Sequence, residues 1–159
     1  MQISKQAASV IEICTARGVK IATAESCTGG LIAAALTEIA GASAVFECGF
    51  VTYSNASKSK MLGVPEELIA QHGAVSAEVA AAMASGAREM AGVDMAVAVT
   101  GIAGPSGGTA QKPVGLVYIA LAIASEVTVE KHNFTGNRAE IRQSTVFSAL
   151  NMLALNMKT

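Results

Sequence analysis

The chain has 159 residues, 52% of them hydrophobic and 14% charged, with a net charge of −1. That length holds a sizeable core, and the apolar content excludes a disordered tail. Near-neutral charge without like-charge blocks gives no nucleic-acid footprint, and aromatic residues at 4% offer no base-stacking platform. No apolar run reaches the roughly 18 residues of a membrane span. The candidate stretches are broken by Glu38, Glu78 and Arg88. The N-terminus, with Lys5, Glu12 and Arg17 on an amphipathic pattern, does not read as a signal peptide. A cytoplasmic protein without membrane or nucleic-acid partners is expected. Cys14, Cys27 and Cys48 show no CxxC spacing, and with only His72 and His132 beside them no metal site is expected.

Taken in order, Ala7, Val10, Ile11 and Cys14 lie at helical spacing, which predicts a helix over 4–17 stopped by Gly18. Val19 to Ala24 reads as a buried strand. A helix over 30–40, closed by Gly41, follows it. Val45 to Tyr53 reads as a second strand, after which Asn55 caps a short helix through Met61. Pro65 opens another short helix, ended by Gly73. Ser76 caps a long alanine-rich helix over 77–91, whose Ala80, Ala81, Ala84 and Ala87 allow close approach to a neighbour. That stripe suits a homo-oligomer contact or internal packing. Val93 to Val99 is a third strand. Gly101 to Pro113 is a Gly/Pro-rich loop, and 114–123 and 127–134 form a hairpin whose short connection makes the pair antiparallel. A helix over 137–157 ends the chain. Strands alternating with helices predict an α/β fold, a three-layer α/β/α sandwich with a mixed sheet of about five strands, in one domain spanning 1–159.

Chemistry-bearing residues gather at strand ends and loops, where open α/β sheets bind ligands. The first group is Ala24-Glu25-Ser26-Cys27-Thr28-Gly29-Gly30, which sets a serine where a strand ends and a helix begins. A hydroxyl there serves as nucleophile, phosphate ligand or helix cap. The others are Tyr53 to Lys58, Thr100 to Gly108, and Thr135-Gly136-Asn137-Arg138 with Arg142. The glycine loop is neither a P-loop nor a dinucleotide fingerprint. Arg138 and Arg142 lie one turn apart at a helix start, where the dipole disfavours cations, so the pair points to an anion between them. Neither histidine falls in these groups, which disfavours a Ser–His–Asp arrangement. A serine–lysine site is the alternative, its lysine neutralised by burial or a nearby cation. Ser26, Tyr53 and Lys58 form such a set. Cys27 is the competing nucleophile.

Together these motifs resemble one family. T-A-E-S-C-T-G-G at 23–30, G-F-V-T-Y-S-N at 49–55 with Lys58, H-G-A-V-S at 72–76, T-G-I-A-G-P at 100–105 and K-P-V-G at 112–115 are similar to the C-terminal domain of the competence/damage-inducible protein CinA. The likeness covers roughly residues 5–155. Stand-alone members are nicotinamide-nucleotide amidohydrolases. The resemblance implies hydrolysis of the carboxamide of nicotinamide mononucleotide to nicotinate mononucleotide and ammonia, in pyridine-nucleotide salvage, with no cofactor. It carries Ser26, Tyr53 and Lys58 over as catalytic residues. Thr28, Gly29, Gly30, Thr100, Gly101, Gly104, Arg138 and Arg142 are carried over to substrate binding. Ala56-Ser57 departs from the common Glu-Ala before the lysine without touching a catalytic position. Longer members carry an N-terminal domain resembling molybdopterin-binding proteins, and this chain is expected to begin directly at the amidohydrolase domain. A non-catalytic nucleotide-binding module of the same family is the other expectation.

Overall fold

A computed structural model describes residues 2–157. The elements are α1 (Gln2–Arg17), β1 (Ile21–Glu25), α2 (Leu31–Thr37), β2 (Phe46–Val51), α3 (Asn55–Leu62), α4 (Glu66–His72), α5 (Ala77–Ala91), β3 (Met95–Gly101), β4 (Leu116–Ile123), β5 (Glu126–Asn133) and α6 (Arg138–Asn156). A 3₁₀ turn, Ala42–Ala44, precedes β2. The sheet runs β2-β1-β3-β4-β5. β1 pairs in parallel with β2 and β3, while β4 is antiparallel to both β3 and β5. This is the expected mixed five-stranded sheet between two helical layers.

Side-chain size separates the two faces. One face presents Ile21, Val97, Val99, Val117, Ile119 and Leu121 to α1, α2 and α6. The other presents Ala22, Ala24, Ala96, Ala98, Ala120 and Ala122 to α5, which answers with Val79, Ala80, Met83, Ala84 and Ala87. Alanine on both sides lets the helix lie close to the sheet, and larger side chains there would overpack the layer. The alanine stripe of α5 thus has an internal use. Ala80, Ala84 and Ala87 are buried by the chain's own sheet.

Boundaries differ from the sequence expectation where backbone hydrogen bonds intervene. Val19 N–H bonds the Cys14 carbonyl to close α1, so β1 starts later than predicted, at Ile21. α2 stops at Thr37 and not at Ala40, as the chain turns through 3₁₀-type bonds from Ile39 N–H to the Leu36 carbonyl. β2 ends at Val51, after which Thr52 keeps one main-chain bond to the Glu25 carbonyl and Tyr53 leaves the ladder. Among the described residues no helix is long and apolar enough to cross a membrane.

The register gathers the four polar groups. β1, β2 and β3 are parallel, so Ser26, Thr52 and Ile102 leave the sheet at one edge. Gly101 pairs with Val117, and Leu116 with Asn133. β4 therefore enters at that edge and β5 leaves there, which brings Arg138 to it.

Candidate active site

Two main-chain bonds hold the exit of β1. Ser26 N–H donates to the Val99 carbonyl (3.1 Å), and Thr52 N–H donates to the Glu25 carbonyl (2.9 Å). Beyond β2, Ser54 caps α3 by accepting from Ser57 N–H. Helical side chains slant toward the N-terminus of their helix, and Lys58, in the first turns of α3, runs back under the β1 turn. Its ammonium donates to Ser26 Oγ (3.0 Å) and the Thr52 carbonyl (3.0 Å), with the Tyr53 carbonyl at 3.4 Å. Lys58 is 1% exposed and Ser26 8%. No carboxylate pairs with this ammonium among the described residues. Burial without a counter-charge lowers the lysine pKa, an effect the nearby Cys27 partly opposes. A neutral amine 3.0 Å from a hydroxyl is placed to take its proton.

Cys27 lies next in sequence but has the opposite electrostatics. Burial pushes its thiol up to about 11. It is a protonated thiol at neutral pH, and the thiolate is the nucleophilic form.

The turn after Ser26 is built on Glu25, to which sequence reasoning gave no role. Glu25 is 1% exposed. Its Oε1 accepts from Thr28 Oγ1 (2.6 Å) and Ile32 N–H (2.8 Å), and its Oε2 from Ala33 N–H (3.1 Å). The carboxylate thus caps α2 from outside the helix. The signal was present: the N-cap position is Gly30, with φ 107°, which has no side chain to cap with. Three N–H groups of the turn, on Cys27, Thr28 and Gly30, meet no acceptor on another residue among those described.

The remaining sequence candidates divide by where their polar atoms go. Thr28 is buried with its hydroxyl on Glu25. Thr100 is buried and donates to the Ala74 carbonyl (2.8 Å), tying the end of β3 to the α4–α5 connection. Gly29 faces Arg142, whose Nε donates to the Cys27 carbonyl and whose Nη2 donates to the Thr28 carbonyl, both at 3.1 Å. Arg142 therefore braces the turn from behind. Arg138 is exposed and donates to the Gly104 carbonyl (2.8 Å) and to the Tyr53 hydroxyl (3.1 Å). Gly104 has φ 77°, and a Cβ there would lie 2.4 Å from Val114, so the loop admits only glycine. Gly101 ends β3 against Val117 and Leu116 with the same lack of room. Tyr53 is 62% exposed. Its phenol lies with Arg138, and only its carbonyl approaches Lys58. Ser26 and Lys58 are thus brought into contact, and the Tyr53 hydroxyl joins the arginine end of the site.

Among the described residues no group of three His, Cys, Asp or Glu side chains is placed to hold a metal ion. A groove of about 490 Å³ lined by Ile3, Leu31, Ala34, Gln143 and Val146 among others carries no nucleophile–base pair.

A serine hydroxyl resting on a buried, unpaired lysine at the carboxyl edge of an α/β sheet defines a serine–lysine type of candidate site. Residues 3–157 match the profile of the CinA C-terminal domain. The chain belongs to that family. It is 62% identical over 136 residues to the CinA-like protein of a Geobacter species, covering 86% of this chain and 33% of that protein. It is 54% identical over 143 residues to the CinA-like protein of Geobacter sulfurreducens, covering 90% of this chain and 35% of the relative. The chain thus spans about a third of the length of the curated relatives it matches. Among solved structures, the competence/damage inducible protein CihA from Agrobacterium tumefaciens superposes with a TM-score of 0.96 at 48% identity, covering 100% of this chain and 97% of that one. A CinA superfamily protein from Klebsiella pneumoniae superposes at 0.95 with 35% identity, covering 98% of each.

Proposed function

We propose that this domain hydrolyses the carboxamide of nicotinamide mononucleotide, giving nicotinate mononucleotide and ammonia. The observation that carries the reading is the 3.0 Å contact between Ser26 Oγ and the buried Lys58 Nζ. With Lys58 neutral, Ser26 Oγ attacks the amide carbon and its proton passes to the amine. The unpartnered N–H groups of Cys27, Thr28 and Gly30 are the donors available to the developing oxyanion. Lys58 then protonates the leaving nitrogen. Ammonia departs, and water hydrolyses the ester on Ser26 by the reverse proton route.

Arg138 takes the phosphate on this reading, since it lies exposed at the mouth beside Tyr53 and Gly104. Arg142 is already bound to two carbonyls of the turn and acts by holding it. Tyr53 orients Arg138 by accepting from its guanidinium through the phenol oxygen. A purely nucleotide-binding module is less well supported. Lys58, buried beneath Ser26, is a poor phosphate ligand and a good base.

The test is product analysis after incubating the enzyme with nicotinamide mononucleotide, nicotinamide riboside, NAD and glutamine. Ammonia and nicotinate mononucleotide in equal amounts from the mononucleotide, with far slower release from the others, support the proposal. No ammonia from any nicotinamide compound overturns it.

A further inference from the structure

Glu25 is the least exposed carboxylate near the site, and the reaction scheme above gives it no part. It touches neither the Lys58 ammonium nor any other cation among the described residues. Both of its oxygens are occupied by donors of one short segment: the Thr28 hydroxyl, Ile32 N–H and Ala33 N–H. A carboxylate with both oxygens so engaged is poorly placed to accept a proton from Ser26. Its effect is geometric. The bond to Thr28 closes a tight loop over residues 25–28, the bonds from Ile32 and Ala33 N–H tie it to the start of α2, and Ser26 lies inside. Arg142 grips the same segment from the opposite side through the Cys27 and Thr28 carbonyls. With the Cys27 and Thr28 carbonyls drawn toward Arg142 and the Thr28 hydroxyl drawn toward Glu25, the Cys27, Thr28 and Gly30 N–H groups are left without an acceptor on another residue among those described. The carboxylate also fills the positive end of α2, so an anionic substrate group finds that helix terminus occupied.

We propose that Glu25 is the positioning residue of this site. Through Thr28 and the α2 cap it fixes the Ser26 turn so that the hydroxyl meets Lys58 and the turn amides meet the oxyanion. The inference rests on Ser26 being the nucleophile, as the proposed function has it. Glu25→Gln keeps size and shape but sets an amide N–H₂ against the Ala33 N–H, which breaks one leg of the cap. Thr28→Val removes only the tie and leaves the cap intact. Thr28→Ser restores the hydroxyl. Displacement of a reacting group by about 1 Å lowers rates by about 100-fold.

The experiment measures the rate at which a fluorophosphonate modifies Ser26, displacing fluoride, beside ammonia release from nicotinamide mononucleotide. Melting temperature and the pH profile of labelling are followed in parallel. Glu25→Gln and Thr28→Val are expected to remain folded and to label about 100-fold more slowly. The pH dependence set by Lys58 is unchanged, KM moves less than kcat, and Thr28→Ser recovers the wild-type rate. Labelling needs no native substrate. A wild type that labels at Ser26 but releases no ammonia defeats the proposed function and leaves the positioning role measurable. Wild-type labelling rates in folded Glu25→Gln and Thr28→Val would overturn the inference. So would loss of the rising, acid-side limb of the pH profile in Glu25→Gln, which makes Glu25 the base, or a wild type that does not label at Ser26.

Discussion

Replacing Lys58 with methionine removes the amine and keeps most of the side chain's length. The effects on activity and on stability then separate. Lys58 is 1% exposed, with Ser26 Oγ and the Thr52 carbonyl at 3.0 Å and no carboxylate partner. Losing the base slows the reaction by about 10²–10⁴-fold, or about 3–5 kcal/mol of barrier. For stability, two terms oppose. Each hydrogen bond lost costs about 1 kcal/mol, or up to about 3 where the donor is charged. Each pH unit by which burial lowers the lysine pKa gives back about 1.4 kcal/mol. The variant is therefore expected within about 2 kcal/mol of wild type at pH 7, well short of the 3–5 kcal/mol typical of breaking a buried ion pair. The pH dependence has a definite sign. An unfolded lysine holds its proton to about pH 10.4, and the folded one releases it earlier. Between the lowered value and about 10.4 the unfolded state binds more protons, so wild-type stability rises with pH. Lys58→Met lacks this contribution, so wild type gains on the variant across that window. Urea denaturation of both proteins between pH 7 and 10 reads it directly. A stability gap that stays constant or narrows as pH rises refutes a buried lysine of lowered pKa.

Cys27→Ala is expected to keep ammonia release within about threefold of wild type, since a thiol pushed up to about 11 supplies no thiolate at neutral pH; loss of turnover there would move the nucleophile to Cys27. Arg138→Ala should raise KM for nicotinamide mononucleotide by about 10–100-fold, the size of a lost charged hydrogen bond, with little change for the riboside. Arg142→Ala should instead lower kcat, and Arg142→Lys should not restore it, because a single ammonium lacks the planar fork that meets two carbonyls; steady-state kinetics on both substrates separates the two arginines.

The fold was legible to the extent that it is written in periodicity and caps. Ser76 caps the helix that begins at Ala77, as read, whereas the cap read at Asn55 falls one residue earlier, on Ser54, whose hydroxyl accepts from Ser57 N–H, and Asn137, read as the first residue of the last helix, is its cap. The alternation of large and small apolar residues in β3 and β4, which marks the face that takes α5, was in the sequence but was not read there. Boundaries such as Val19 and Ile39 were not legible, because local backbone bonds decide them. The meeting of Ser26 and Lys58 is a product of parallel register and the slant of α3, and spacing alone left it one option among several. Glu25 was missed because the side-chain-less Gly30 at the N-cap shows that a cap must come from elsewhere, while nothing in the spacing points to a glutamate seven residues before Ile32 as its source. Arg142 was read with Arg138 as one anion clamp, since one turn of separation places both on one face. Its partners are carbonyls supplied by a distant segment, which sequence spacing does not reveal.

The central claim is that Ser26 attacks and Lys58 takes its proton. Acid quenching of the enzyme during turnover of nicotinamide mononucleotide, followed by mass analysis of its peptides, tests this most directly. The account predicts an adduct on Ser26 with the mass of the substrate less ammonia, absent from Ser26→Ala. Turnover with no adduct on Ser26 at any quench time, or ammonia release that survives in Ser26→Ala, would contradict it.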